Sequence, residues 1–222
     1  MEVTTHRGIN YKLETLKLPL YLKTLDFFDR HYNYKHLLTE IIDSDDTKDD
    51  RIIKILEWTY ASIVKSPAGL PVVDDHVWNI IVRGYGADDQ LSDVFATLCN
   101  YAGMKAFFSY VRSIDRKSVV VLSFVQLAGR WRVFDPYRGI YFLNNDGYFA
   151  SIEDLRQGNW KIKSLDSSVG EYPDYSQYIV NLTDKENVEI RRAGIQSPLN
   201  RLLFEGEKYF NRLAQWISKS EN

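Results

Sequence analysis

Residues 83–103 read Arg-Gly-Tyr-Gly-Ala-Asp-Asp-Gln-Leu-Ser-Asp-Val-Phe-Ala-Thr-Leu-Cys-Asn-Tyr-Ala-Gly, a glycine-containing turn that leads into an amphipathic segment. Apolar side chains in this segment recur every three to four residues, which is the spacing of one face of an α-helix. They are Leu91, Val94, Phe95, Leu98, Cys99 and Ala102. The pattern predicts a helix that begins at Asp88 and ends at Gly103.

Two acids, Asp88 and Asp89, stand at the start of this helix. A carboxylate there accepts hydrogen bonds from backbone N–H groups that have no partner within the helix, and it faces the positive end of the helix dipole. We therefore interpret Asp88 as a helix cap, with a functional carboxylate as the alternative. Cys99 is the only cysteine and lies on the apolar stripe, so we expect it to be buried and structural.

The residues after the helix have the composition of antiparallel strands. Aromatic and β-branched side chains predict strands at 105–112, 119–127 and 130–134, separated by turns. A fourth strand is expected at 140–143. The segment Trp131-Arg132-Val133-Phe134-Asp135-Pro136 places an acid at the end of the third strand.

Helical periodicity marks the flanking segments as well. Residues 19–42 predict one or two helices, and residues 47–64 predict another with acids in its first turn. Ser151 is the expected N-cap of a short helix. The weak pattern between residues 160 and 195 predicts irregular structure with one strand at 178–182, and a last helix is expected to start at Ser197.

The order of helix, hairpin and Trp-x-x-x-Asp-Pro strand resembles the core of the transglutaminase-like superfamily, which is papain-like in architecture. The resemblance covers about residues 50–145. It implies an α+β fold with helices packed on an antiparallel sheet, and with helices added at the N- and C-terminal ends. Members of that superfamily carry a cysteine at the head of the helix, a histidine on the hairpin and the acid of the Trp-x-x-x-Asp-Pro strand.

Counted along this chain, two of those three catalytic positions differ in chemistry. Asp88 occupies the cysteine position and Val120 the histidine position, and only the acid is present, as Asp135. Residues 86–91 contain no cysteine, and residues 118–122 contain no histidine. The resemblance therefore implies a degenerate member in which no catalytic residue is expected.

Without an imidazole to orient, Asp135 is expected to be a structural acid. Its expected partners are backbone N–H groups after the strand, or an arginine such as Arg83, Arg112 or Arg138.

His76 lies in a His-Val-Trp tripeptide like that around the family's histidine, but upstream of the helix rather than downstream. We interpret it as a structural histidine, with a catalytic or ligand role as the alternative. Asp74, Asp75, His76, Asp88 and Asp89 could hold a cation if their loops converge. Because no metal-ligand spacing repeats, we expect no metal site and no cofactor.

At 222 residues the chain has the size of a single domain. We divide it into an N-terminal helical layer (1–46), a transglutaminase-like core (47–157) and a C-terminal extension (158–222). A net charge of −2 gives no basic surface for nucleic acid, and no apolar run approaches the length of a membrane span. The single cysteine and a start without an apolar leader predict a cytoplasmic protein.

Three functions remain open at this point. The first is an inactive domain that binds a peptide, a protein or a glycan in the remnant cleft. The second is a hydrolase or transferase with a carboxylate-based site of Asp88, Asp135 and His76. The third is a structural component of a larger assembly.

Overall fold

The computed structural model describes residues 2–7, 12–17, 19–67, 70, 76–166 and 172–182, together with a few positions between 203 and 211. The helices in these ranges are α1 (Leu20–Ile41), α2 (Lys48–Ser62), α3 (Val77–Arg83), α4 (Asp88–Tyr101), α5 (Ile152–Arg156) and α6 (Ser176–Ile179). The strands are β1 (Glu2–Arg7), β2 (Lys12–Lys17), β3 (Val64–Lys65), β4 (Tyr85–Gly86), β5 (Ala106–Arg112), β6 (Val119–Leu127), β7 (Arg130–Asp135), β8 (Ile140–Leu143) and β9 (Lys161–Ser164).

The central element is α4, the helix predicted from its apolar stripe. Every residue from Gln90 to Cys99 is buried, because α1, α2 and α3 cover one side of the helix and β5 and β6 cover the other. The sequence predicted a single apolar stripe, but the polar residues Ser92, Asp93 and Thr97 are buried as well. The predicted apolar positions are therefore buried, but the prediction missed the buried polar positions, since α4 is enclosed on all sides.

Strands β5 to β9 form an antiparallel sheet in which each strand pairs with the next along the chain. The four strands predicted after α4 are confirmed, and β9 was not predicted. Side chains alternate between the two faces, so Ala106, Val125 and Phe134 pack with α4. Phe107 and Phe124, which pair across β5 and β6, point to the opposite face, here called the far face.

The far face is covered by α5 and by residues 172–182. The strand predicted at 178–182 is wrong, because the segment contains α6 followed by a turn. Four of its buried side chains have helical spacing of three, four and seven residues, namely Tyr175, Tyr178, Ile179 and Leu182. Burial of this stripe against the sheet favours a helix over a strand.

The N-terminal region departs in part from the predicted helical layer at 1–46. The single helix α1 confirms the helical prediction for residues 19–42, but β1 and β2 precede it as an antiparallel pair. Glu2–Arg7 contains three consecutive β-branched residues, Val3, Thr4 and Thr5, which favour an extended backbone.

The remaining helix predictions are confirmed where the structure describes them. Thr47 caps α2 and Ser151 caps α5. For the last predicted helix, the positions described between 203 and 211 are helical, while its predicted start, Ser197, lies outside the described residues. Asp74 and Asp75, which were considered as cation ligands, lie outside the described residues as well. None of the helices in the described ranges combines the length and the apolar character that crossing a membrane requires.

Gly139 fixes the turn that follows β7. Its φ of +62° lies in the left-handed region, and an added Cβ would lie 3.0 Å from the ring of Tyr60 on α2. Glycine is thus required both by the backbone angle and by the close approach. The turn from Asp135 to Gly139 is thereby held against α2.

Candidate functional site

The head of α4 is the position that the resemblance assigns to a nucleophile. The N-cap is Ala87, one residue earlier than predicted, and Asp88 is the first helical residue. Asp88 still accepts a hydrogen bond from a backbone N–H, that of Asp89, at 2.9 Å. The Gln90 side-chain oxygen accepts from the Ala87 N–H at 3.1 Å and from the Arg83 guanidinium at 3.1 Å. Gln90, rather than Asp88, therefore closes the helix start.

Asp135 is completely buried at the end of β7. Its Oδ1 accepts the backbone N–H of Arg138 at 3.1 Å. Its Oδ2 accepts the Arg138 guanidinium at 2.8 Å and the Tyr175 hydroxyl at 2.7 Å. Both kinds of partner expected for Asp135, a backbone N–H and an arginine, are present, while Tyr175, forty residues further along, was missed. No sequence signal links that tyrosine to the turn.

The carboxylates of Asp135 and Asp88 both affect the pKa of Arg138. Burial alone would lower the pKa of Arg138, but the charge and hydrogen bond of Asp135 raise it, with smaller contributions from Tyr175 and Asp88. Burial and the neighbouring Asp135 together raise the pKa of Tyr175 above its ordinary value. The charges of Asp88 and Asp135 therefore both act on the pKa of Arg138.

Val120 does not face this helix head. It is buried on the far face with Leu122 and Phe124. The neighbouring Ser123 points to α4 instead, where its hydroxyl donates to the Ser92 carbonyl oxygen at 3.4 Å. Alternation along β6 places Val121, rather than Val120, on the α4 face. The expectation that Val120 stands opposite the helix head is corrected by one residue, and neither position is a histidine.

Cys99 is buried, as predicted. It lies in the last turns of α4, far along the helix from Asp88, and has no exposed surface. Burial raises the pKa of its thiol, so the thiolate form that acts as a nucleophile is disfavoured at neutral pH.

His76 is exposed and occupies the N-cap position of α3. Its carbonyl oxygen accepts the backbone N–H of Asn79 at 2.8 Å. A structural role at the start of a helix accounts for this placement. Within the described parts of the chain, no three His, Cys, Asp or Glu side chains are grouped as metal ligands.

A contiguous surface surrounds the helix head, and we call it the helix-head surface. On one side the Tyr110 hydroxyl, on a residue 58% exposed, donates to Asp89 at 2.8 Å. On the other side the Tyr137 ring lies 4.8 Å from the Lys65 ammonium and 5.6 Å from the Arg138 guanidinium. The surface consists of Lys65, Asp88, Asp89, Tyr110, Tyr137 and Arg138.

The sequence matches no protein-family model and none of the curated proteins. Three solved structures show similarity in shape. A candidate cysteine protease from Cytophaga hutchinsonii has a TM-score of 0.41 at 13% identity, over 65% of this chain and 55% of that one. A candidate protease from Parabacteroides distasonis has a TM-score of 0.41 at 13% identity, over 60% and 26%. A TGase has a TM-score of 0.39 at 11% identity, over 60% and 43%. The match spans less than two thirds of each of these chains.

Proposed function

We propose that this chain is a catalytically inactive transglutaminase-like domain that binds a peptide, a protein or a glycan at the helix-head surface. The observation that carries the proposal is the state of the two carboxylates. Asp88 stands where a thiol would be needed, and Asp135 is enclosed by Arg138 and Tyr175.

Thiol-based acyl transfer requires a nucleophile and a base within hydrogen-bonding reach of each other. The only cysteine is buried inside α4, and the α4 face of β6 carries Val121 and Ser123 rather than a histidine. Arg138, which occupies the space next to Asp135, stays protonated and cannot act as a base. These residues therefore support no Cys-His-Asp chemistry.

The carboxylate-based enzyme finds no support in this geometry. Asp135 has no exposed surface, and its two oxygens accept three hydrogen bonds. A general base must reach the proton of a bound substrate, and a carboxylate held in this way does not.

The helix-head surface has the properties of a recognition surface. Tyr110 and Tyr137 offer aromatic rings with polar ends, a combination enriched where proteins contact peptides and sugars. Lys65 and Arg138 supply hydrogen-bond donors beside one ring, and Asp88 and Asp89 supply acceptors. Extended polypeptides and glycans both need such a mixture of ring faces, donors and acceptors.

The absence of turnover is tested with a fluorescent primary amine and dimethylcasein as glutamine donor, and in parallel with casein as protease substrate. The expected result is no amine incorporation and no cleavage. Cys99→Ala serves as the matched control, because it removes the only thiol. Incorporation or cleavage that iodoacetamide or Cys99→Ala abolishes would contradict the proposal.

Binding is tested by panning a random peptide library on phage and by probing a glycan array with the full chain. Ligands recovered in either screen are expected to lose about tenfold in affinity on Tyr110→Ala or Tyr137→Ala, since each substitution removes a contact of about 1 to 2 kcal/mol. Tyr148→Ala is the control, because Tyr148 is also an exposed tyrosine but lies beyond β8. The proposal fails if neither screen yields a ligand sensitive to the helix-head variants.

A further inference from the structure

A cavity of about 390 Å³ lies on the far face of the sheet and extends at one side to Tyr110, which also belongs to the helix-head surface. Its size falls within the range of roughly 300 to 1,000 Å³ that holds small molecules. The apolar residues among those that line it are Phe107, Val111, Phe124, Trp131, Ile152 and Leu182. These come from β5, β6, β7, α5 and the segment after α6, so the cavity is built by the fold rather than by one loop.

The floor of the cavity is an aromatic cluster. The rings of Phe107 and Phe124 stack with centroids 4.8 Å apart and planes 12° apart. Trp131 meets Phe107 edge to face at 4.9 Å. A planar apolar group placed against this cluster would find ring faces and edges in the arrangements that aromatic pairs prefer.

The mouth of the cavity is cationic. Arg112 and Arg116 are exposed and line it. Residues 112–117 contain three cations, Arg112, Arg116 and Lys117, and one acid, Asp115, so this stretch carries a net charge of +2 in a chain of net charge −2. Positive charge is therefore concentrated at the one end of the hairpin that adjoins the cavity.

The acid of this stretch is engaged by the turn itself. Asp115 accepts the Ser113 hydroxyl at 2.5 Å and the Lys117 N–H at 3.1 Å, and these bonds lower its pKa. In the part of the chain that the structure describes, no carboxylate forms an ion pair with either arginine. The Arg112 carbonyl accepts the Asn181 amide at 2.9 Å, which joins the wall of the cavity to the end of β5.

From these observations we infer that the cavity is a second binding site, which takes a small carboxylate with a flat apolar body. The aromatic floor receives the apolar body, and the guanidinium groups of Arg112 and Arg116 bind the carboxylate. Arginine suits this task, because its planar fork matches the two oxygens of a carboxylate. The two sites share Tyr110, whereas the aromatic floor and the two arginines belong to the cavity alone.

The probes are 2-naphthoate and its neutral counterpart 2-naphthamide, each competed against 8-anilinonaphthalene-1-sulfonate bound to the folded full chain. Arg112→Gln and Arg116→Gln are each expected to weaken naphthoate about tenfold and to leave naphthamide within about twofold, because only the charged hydrogen bonds are lost. Arg130→Gln is the matched control, an exposed arginine at the start of β7 that does not line the cavity.

A second experiment fills the cavity with a larger side chain. Ser109 lines it and is half-buried, so Ser109→Phe should abolish binding of both naphthoate and naphthamide, whereas Ser109→Ala should not. Ser109→Leu serves as the smaller filling variant if Ser109→Phe does not fold. The inference is overturned if naphthoate binding survives Ser109→Leu, if both arginine variants bind it unchanged, or if naphthoate does not bind the parent chain at all.

Discussion

The two faces of the five-stranded sheet are packed in different ways. On one face α4, buried along ten consecutive residues from Gln90 to Cys99, fills the space against β5 and β6. On the far face two short helices and the segment up to Leu182 leave a cavity of about 390 Å³. A single long helix covers the α4 face, whereas several short elements on the far face leave room between them. The cavity therefore lies on the face of the sheet opposite α4.

The largest expected effect compares a phenylalanine on each face. Phe95 on α4 is fully buried against Phe134, and Phe95→Ala should lower the free energy of unfolding by about 4 kcal/mol. Phe107→Ala should cost about 1 kcal/mol less, because Phe107 already borders a cavity into which its neighbours can relax. Urea unfolding of the two variants measures the difference. Equal losses would mean that the far face is packed as tightly as the α4 face.

The next prediction breaks the connection between the strand end and the far-face segment. Asp135→Ala leaves Arg138 and the Tyr175 hydroxyl without their partner, and it should lower the free energy of unfolding by about 3 kcal/mol, the low end for a buried pair because Arg138 is 26% exposed. Tyr175→Phe keeps the ring, which packs against Phe142, and should cost about 2 kcal/mol.

A double-mutant cycle completes this test. The combined variant should be less destabilised than the sum of the two single ones, because both remove the same hydrogen bond. Asp146→Ala, in the exposed turn after β8, is the control and should be neutral. Strict additivity would show that Tyr175 and Asp135 are not coupled.

The α4 face illustrates what local sequence patterns can predict. The stripe from Leu91 to Ala102 gave the helix, and alternating strand residues gave β5 to β8, because both signals depend on neighbours within a few positions. The burial of Ser92, Asp93 and Thr97 was not predictable in this way. It depends on α1, α2 and α3, which cover a side of α4 that its own sequence leaves polar.

The far face illustrates what such patterns miss. Tyr175 reaches Asp135 across forty residues, and Trp131 reaches Phe107 across the sheet. Neither pair produces a periodic pattern in the sequence, because its two residues belong to different elements. The sequence therefore identified the positions Asp88 and Asp135 of the candidate site. It did not identify the contact between Asp135 and Tyr175, because that contact forms only when distant segments pack together.

The third prediction concerns the pH dependence of stability that arises from Cys99, which is buried in α4. Burial raises the pKa of the Cys99 thiol above the value of about 8.5 found for an exposed thiol. The unfolded chain thus releases this proton at lower pH than the folded chain. The stabilising contribution is complete below about pH 8.5 and is lost as the pH rises above it.

Cys99→Ala removes this dependence. The variant should be less stable than the parent at pH 7.5, since it leaves a small cavity. The gap should narrow by about 1.4 kcal/mol between pH 7.5 and pH 9.5, when the unfolded parent becomes deprotonated. Urea unfolding at both pH values tests this. The tyrosines of raised pKa, Tyr34 and Tyr175, are present in both chains and cancel in the comparison. A constant gap would mean that the thiol is accessible in the folded chain.

The smallest expected effect concerns the first residue of α4. Asp88 is the first residue of α4, not its cap, and its Oδ1 accepts the N–H of the adjacent Asp89. Asp88→Ala should therefore lower the free energy of unfolding by about 0.5 kcal/mol, the contribution of one acid near the positive end of a helix. Thr47→Ala removes a side chain that caps α2 and should cost about 1 kcal/mol.

Asp88→Asn keeps the acceptor without the charge, so it separates the hydrogen bond from the dipole interaction. A loss for Asp88→Ala as large as that for Thr47→Ala would restore Asp88 as a structural cap. A gain in stability would instead mean that the carboxylate is held at a cost, which is the behaviour of a residue kept for binding.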